Sequence, residues 1–92
     1  MEEIKEKLLE SGLKLNSVTA YLDNIRHLNG STPRNINFLN KYEDVMNKLK
    51  DMNNFTKKNR LMAIIKVLQI FPRKKKLLSK YVDELRSTTK TL

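Results

Sequence analysis

Leu61-Met62-Ala63-Ile64-Ile65-Lys66-Val67-Leu68-Gln69-Ile70-Phe71-Pro72 is the most apolar run in the chain. Leu61, Ile64, Ile65, Leu68 and Phe71 recur at the three- and four-residue steps of a single helix face. Pro72 closes the run, because the residue before a proline disfavours the helical conformation. Lys66 and Gln69 interrupt it, and it is far shorter than the ~20 apolar residues that span a bilayer. The stretch therefore predicts a buried helix at the centre of an all-helical domain, entered through a cap at Thr56.

The same spacing repeats on both sides of this helix. Ile4, Leu8 and Leu9 predict a first helix over residues 2–10, with acids in the turn where the helix dipole is positive. Ser11-Gly12 stops it, Gly12 taking a left-handed C-terminal conformation. Asn16 or Ser17 caps a second helix whose stripe is Val18, Tyr21, Leu22, Ile25 and Leu28. Asn29-Gly30-Ser31-Thr32-Pro33 forms the following loop. A third helix of about four turns starts near Arg34 or Asn35 and carries Phe38, Leu39, Tyr42, Val45, Met46, Leu49 and Met52. A fifth starts at about Arg73 and buries Leu77, Leu78, Tyr81, Val82 and Leu85. From Ser87 the periodicity is lost, which predicts a frayed end or linker. Leu15, Tyr21, Leu22 and Ile25 recur at the same spacing as Phe55, Leu61, Met62 and Ile65, so the pattern describes two successive helical hairpins.

The chain has 92 residues, a net charge of +9 and a pI near 9.9. That length allows one modest core. Residues 1–55 carry eight cations and eight acids, whereas residues 56–92 carry eleven cations against Asp83 and Glu84 alone. The whole excess thus lies in the C-terminal part, which points to a polyanion, with nucleic acid first. The chain has no cysteine, one histidine, two glycines and two prolines. This excludes disulfide frameworks, cysteine zinc sites and thiol nucleophiles, and fits a reducing compartment, cytoplasmic or nuclear. The charged start, MEEIKEKLLE, is not a signal peptide.

Catalytic patterns are missing. Neither a G-x-S-x-G turn nor a phosphate-binding glycine loop occurs. Glu2, Glu3, Glu6 and Glu10 read as a solvated helix face. His27 reads as an exposed helix-end residue, and Tyr21, Tyr42 and Tyr81 as core residues with hydroxyls at the rim. No catalytic residue, metal site, cofactor or small-molecule substrate is expected.

Two basic clusters remain. Lys57, Lys58, Asn59 and Arg60 follow Thr56 at the start of the fourth helix, where free backbone N–H groups favour phosphate. Arg73, Lys74, Lys75 and Lys76 crowd the start of the fifth, next to a dipole end that is already positive. Ser79 and Lys80 extend that face, which runs on towards Asp83 and Arg86; Lys66 lies further along the fourth helix, and Lys41 lies on the outer face of the third. Lysine and arginine suit phosphate and guanine, and asparagine suits adenine. Double-stranded DNA is the expected partner of these twelve residues. A helical assembly domain whose basic face meets an acidic protein is the alternative, as is self-association through the acidic first helix. A helix-turn-helix reading ranks below both, because the fourth helix is too apolar over residues 61–68.

Residues 15–25, Leu-Asn-Ser-Val-Thr-Ala-Tyr-Leu-Asp-Asn-Ile, resemble the opening of the core-binding, SAM-like domain of tyrosine recombinases and phage integrases. Residues 55–66 resemble a later helix of that domain, with Asn59, Leu61, Ala63 and Ile64 echoing it. The resemblance covers residues 13–86, leaving 1–12 as an added acidic helix and 87–92 as a polar tail. It implies an all-α bundle of two crossed α-hairpins, in which helices corresponding to residues 35–51 and 73–86 approach the major groove. It further implies one half of a C-shaped DNA clamp that supports site-specific recombination. The catalytic half of such enzymes carries an Arg, a Lys, a His-x-x-Arg and a nucleophilic Tyr. Here His27 is followed by Leu28-Asn29-Gly30, so cutting and joining are not expected of these residues.

Overall fold

A computed structural model describes residues 2–31 and 36–90. Among these the chain is all helical: α1 (Glu2–Glu10), α2 (Leu15–Asn29), a 3-10 turn (Asn37–Asn40), α3 (Tyr42–Leu49), α4 (Asn54–Gln69), a second 3-10 turn (Pro72–Lys74) and α5 (Lys75–Lys90). No helix among the described residues is long and apolar enough to cross a membrane.

α4 is the hub. It packs against α2 on one side and α5 on the other, with α1 near its end. Leu61, Ile64, Ile65 and Leu68 are buried as their spacing predicts, and Ala63 and Val67 are buried too. The second half of α4 is therefore enclosed on more than one face, while Phe71 is only half-buried. Ile4 and Leu8 of α1, Val18, Ile25 and Leu28 of α2, and Val45 and Leu49 of α3 complete one continuous core with Tyr81. Burial of these side chains away from water is the main force holding the five helices together.

The helix boundaries shift from their sequence-based positions for identifiable reasons. α2 begins at Leu15 after Lys14, so Asn16 and Ser17 lie inside its first turn and neither caps it. Leu13 and Val18, both packed into the core, stand at the spacing of a hydrophobic staple, which sets where the chain enters the helix. Asn53, not Thr56, caps α4: its side chain accepts a hydrogen bond from the Thr56 N–H at 2.9 Å. Gly30, at φ +85°, ends α2 and donates its N–H to the Arg26 carbonyl at 2.9 Å. Gly12 takes φ +99° after α1, the left-handed region that glycine reaches without steric cost.

The expected four-turn third helix is two elements. Its predicted start at Arg34 or Asn35 lies outside the described residues. Residues 37–40 form the 3-10 turn, and Lys41, at ψ +72°, separates it from α3. In a continuous helix the Leu39 carbonyl would accept from the N–H four residues on. Here it accepts the buried Tyr81 hydroxyl at 2.7 Å. The ring of Tyr42 then meets that of Tyr81 edge-on, with centroids 5.0 Å apart. A tertiary contact thus replaces a helical one.

α5 also differs at both ends. Pro72–Lys74 forms a 3-10 turn, and the α-helix proper starts at Lys75. It continues to Lys90 through the residues whose sequence predicts fraying. Thr88 is buried, and its hydroxyl donates to the Glu84 carbonyl at 2.9 Å; Thr89 does the same to Leu85 at 2.8 Å. These short polar side chains satisfy themselves one turn back, so the helix does not stop at them.

Candidate nucleic-acid interface

α5 and the turn before it form the main basic surface. Arg73, Lys75, Lys76, Ser79, Lys80, Arg86 and Lys90 are exposed. Tyr81 points inward, so helical geometry turns the residues opposite it towards solvent. Sixteen residues of helix extend about 24 Å, close to the full 26 Å middle dimension of the molecule. Asp83 is the exposed acid of this surface; Glu84 is half-buried and turned towards α4.

Some of the expected residues are engaged within the fold. Lys57 reaches Glu84 at 2.7 Å and ties α4 to α5, both side chains being mostly shielded from solvent. Arg60 donates to the Asn24 side chain of α2, and its buried Nε has no hydrogen-bond partner. Lys74 donates to Asn40 at 2.7 Å, fastening the start of α5 to the first 3-10 turn. Lys80 lies 5.6 Å from the Tyr42 ring centroid, a cation–π contact that leaves its charge at the surface. Burial first, and then Glu84 and Asp83, raise the Tyr42 hydroxyl above its ordinary range. Burial, then Tyr42, push Tyr81 higher still, so it remains a protonated donor to Leu39.

The capping of α4 changes the reading of the first cluster. Asn53 already satisfies the Thr56 N–H, and the Lys57 N–H bonds to the Asn53 carbonyl at 2.9 Å. Lys57, Lys58 and Arg60 consequently stand beyond the unpaired N–H groups of the helix start. Lys58, Asn59 and Lys66 share the outer side of α4, away from Lys57 and Arg60. Lys41 is separate again, beside Asp44, Asn47 and Lys48 around a shallow depression over Phe38 and Val45. The structure thus brings Arg73, Lys75, Lys76, Ser79 and Lys80 onto one face. It places Lys58, Asn59 and Lys66 on another.

The chain matches no protein-family model, no curated protein and no solved structure.

Three residues fall outside the twelve expected to meet DNA: Arg86, Lys90 and Phe55. Arg86 and Lys90 prolong the α5 stripe, and their spacing from Ser79 and Asp83 keeps the three- and four-residue step past Ser87. The sequence pattern already places Arg86 on the exposed face of the last helix; for Lys90 the signal is the same step, masked by the threonines beside it. Phe55, exposed in the first turn of α4, is the third. His27 is exposed beside Arg26, whose guanidinium is paired with Asp23. Among the described residues no group of three or more His, Asp or Glu side chains could hold a metal ion.

Proposed function

We propose that this chain is a double-stranded DNA-binding domain with no catalytic chemistry of its own, of the kind that clamps DNA in tyrosine recombinases. The observation that carries the reading is the α5 stripe: six exposed cations from Arg73 to Lys90 in one helix and its leading turn, against Asp83 and Glu84. Like charges at this density repel one another, and a polyanion relieves the repulsion. Duplex DNA presents phosphates along a line, matching the long exposed face of a helix better than a compact anion does. The pairing of α4 with α5 across a short connection also suits the crossed-hairpin arrangement implied by the resemblance of residues 15–25 and 55–66. In this reading Arg73, Lys75, Lys76, Lys80, Arg86 and Lys90 hold phosphates, and Ser79 faces the groove.

Titration of a fluorescent duplex at two salt concentrations tests the proposal. With about six phosphates neutralised, affinity falls about a thousandfold for a fourfold rise in salt. An affinity indifferent to salt rules out the phosphate-anchored mode.

The alternative is an assembly domain. It is favoured by Leu15, 55% exposed, and Leu9, 37% exposed, next to the solvated acids of α1. Self-association by light scattering, without a mobility shift on DNA, would select it.

A further inference from the structure

Phe55 is 72% exposed, the most exposed large apolar side chain among the described residues. It sits in the first turn of α4, and its position along the helix gives it particular neighbours. Residues four, seven and eleven further on share its face, and these are Asn59, Met62 and Lys66. Lys58 and Gln69 flank them. α4 contains no acid at all. Asn59 is exposed, and its amide makes no hydrogen bond to another described residue. The outer side of α4 therefore combines a bare aromatic ring, an uncommitted amide and two cations.

Each of these groups has a counterpart in the major groove. An asparagine amide pairs bidentately with adenine, and an aromatic or aliphatic side chain packs on the methyl group of thymine. Phe55 and Asn59 are neighbours on the helix surface at i and i+4, about 6 Å apart along the axis, so they can address adjacent base pairs. Lys58 beside them and Lys66 further along the same face, both half-buried, have the charge to hold nearby phosphates. An exposed phenylalanine on an acidic or neutral helix would fit a protein partner equally well. The absence of any carboxylate on α4 favours DNA.

We propose that the outer side of α4 is a second, base-reading surface, with Phe55 in contact with a thymine methyl and Asn59 with an adenine. The proposal rests on the DNA-binding reading above and assigns it an A·T preference. It adds specificity to a domain whose α5 stripe, by chemistry, grips any sequence.

Replacing thymine by uracil removes the methyl group alone. Binding is compared on a short alternating A·T duplex, its A·U counterpart and a G·C duplex, for the unaltered chain, Phe55→Ala, Asn59→Ala and Lys76→Ala. The unaltered chain should bind the thymine duplex about fourfold more tightly than the uracil duplex, the worth of one buried methyl group. Phe55→Ala should bind both alike, with unchanged helicity and thermal midpoint because the ring packs on little. Asn59→Ala should cut the preference for A·T over G·C down to the roughly fourfold methyl contribution of Phe55, while Lys76→Ala weakens all three duplexes equally. If no duplex is bound, the DNA reading itself falls. If the unaltered chain binds thymine and uracil duplexes equally, that reading stands and the Phe55 contact is overturned. A change from dimer to monomer in Phe55→Ala with DNA affinity unaltered would also overturn it, in favour of a second copy of the chain.

Discussion

Replacing Arg73, Lys75 and Lys76 together by glutamate should abolish measurable DNA binding while making the folded chain slightly more stable. All three are exposed and stand at or just before the start of α5. A lysine on a phosphate contributes to affinity uniformly across sequences, and its loss reduces the salt slope by about one. Three losses should lower the slope by about three and weaken binding by at least about a hundredfold at low salt, more once the new charges repel phosphate. The effect on the fold has the opposite sign. Carboxylates suit the positive end of the helix dipole, where each contributes about 0.3–1 kcal/mol, and a crowd of like charges is removed. Binding by anisotropy and stability by urea titration separate the two. A loss of both together would mean that these cations serve the fold, and the DNA reading would lose its main support.

The second large effect concerns the hub. Ile64 is fully buried, on a helix packed from both sides. Ile64→Ala should cost about 3–4 kcal/mol, combining lost burial with the cavity left behind. For a domain whose total stability is of order 5–15 kcal/mol, that is a large share. The urea midpoint should fall while the slope of the transition is unchanged, since the same surface is exposed on unfolding. Gln69→Ala, exposed on the same helix, should stay within about 0.5 kcal/mol. A cost below about 1 kcal/mol for Ile64→Ala would show that α4 is not the centre of the core.

The contrast between these two sites shows what the sequence makes visible. Apolar spacing identifies every long helix and most of the core, because burying a face leaves a periodic trace. Gly12 and Gly30 mark their helix ends because both take a backbone conformation that other residues avoid. The break at Lys41 leaves no such trace. It depends on the Tyr81 hydroxyl reaching the Leu39 carbonyl from a distant part of the chain. Ala63 and Val67 were not part of the predicted face, because a one-face pattern cannot show that α4 has neighbours on both sides. The candidate site divides similarly. Its charge and the two clusters can be counted directly in residues 56–92. That Lys57 is committed to Glu84 and Arg60 to Asn24 follows only from packing. Phe55 resembles any other apolar residue in a helical pattern, and only the fold leaves it bare.

The α5 stripe also ties the domain to the ions around it. Six exposed cations held along one helix and its leading turn repel one another, and dissolved salt screens that repulsion. Rising ionic strength should therefore raise the thermal midpoint of the free chain while it dissociates the chain from DNA. A midpoint that falls with added sodium chloride would contradict this. Under the DNA-binding proposal, a duplex that binds only the folded form acts in the same direction as salt on the free protein through mass action. The chain is in this sense a polyelectrolyte whose counterions form part of its folding equilibrium. It is least stable in dilute salt, where its basic face attracts a polyanion most strongly, and under the DNA-binding proposal a duplex is the multivalent counterion that relieves both conditions at once.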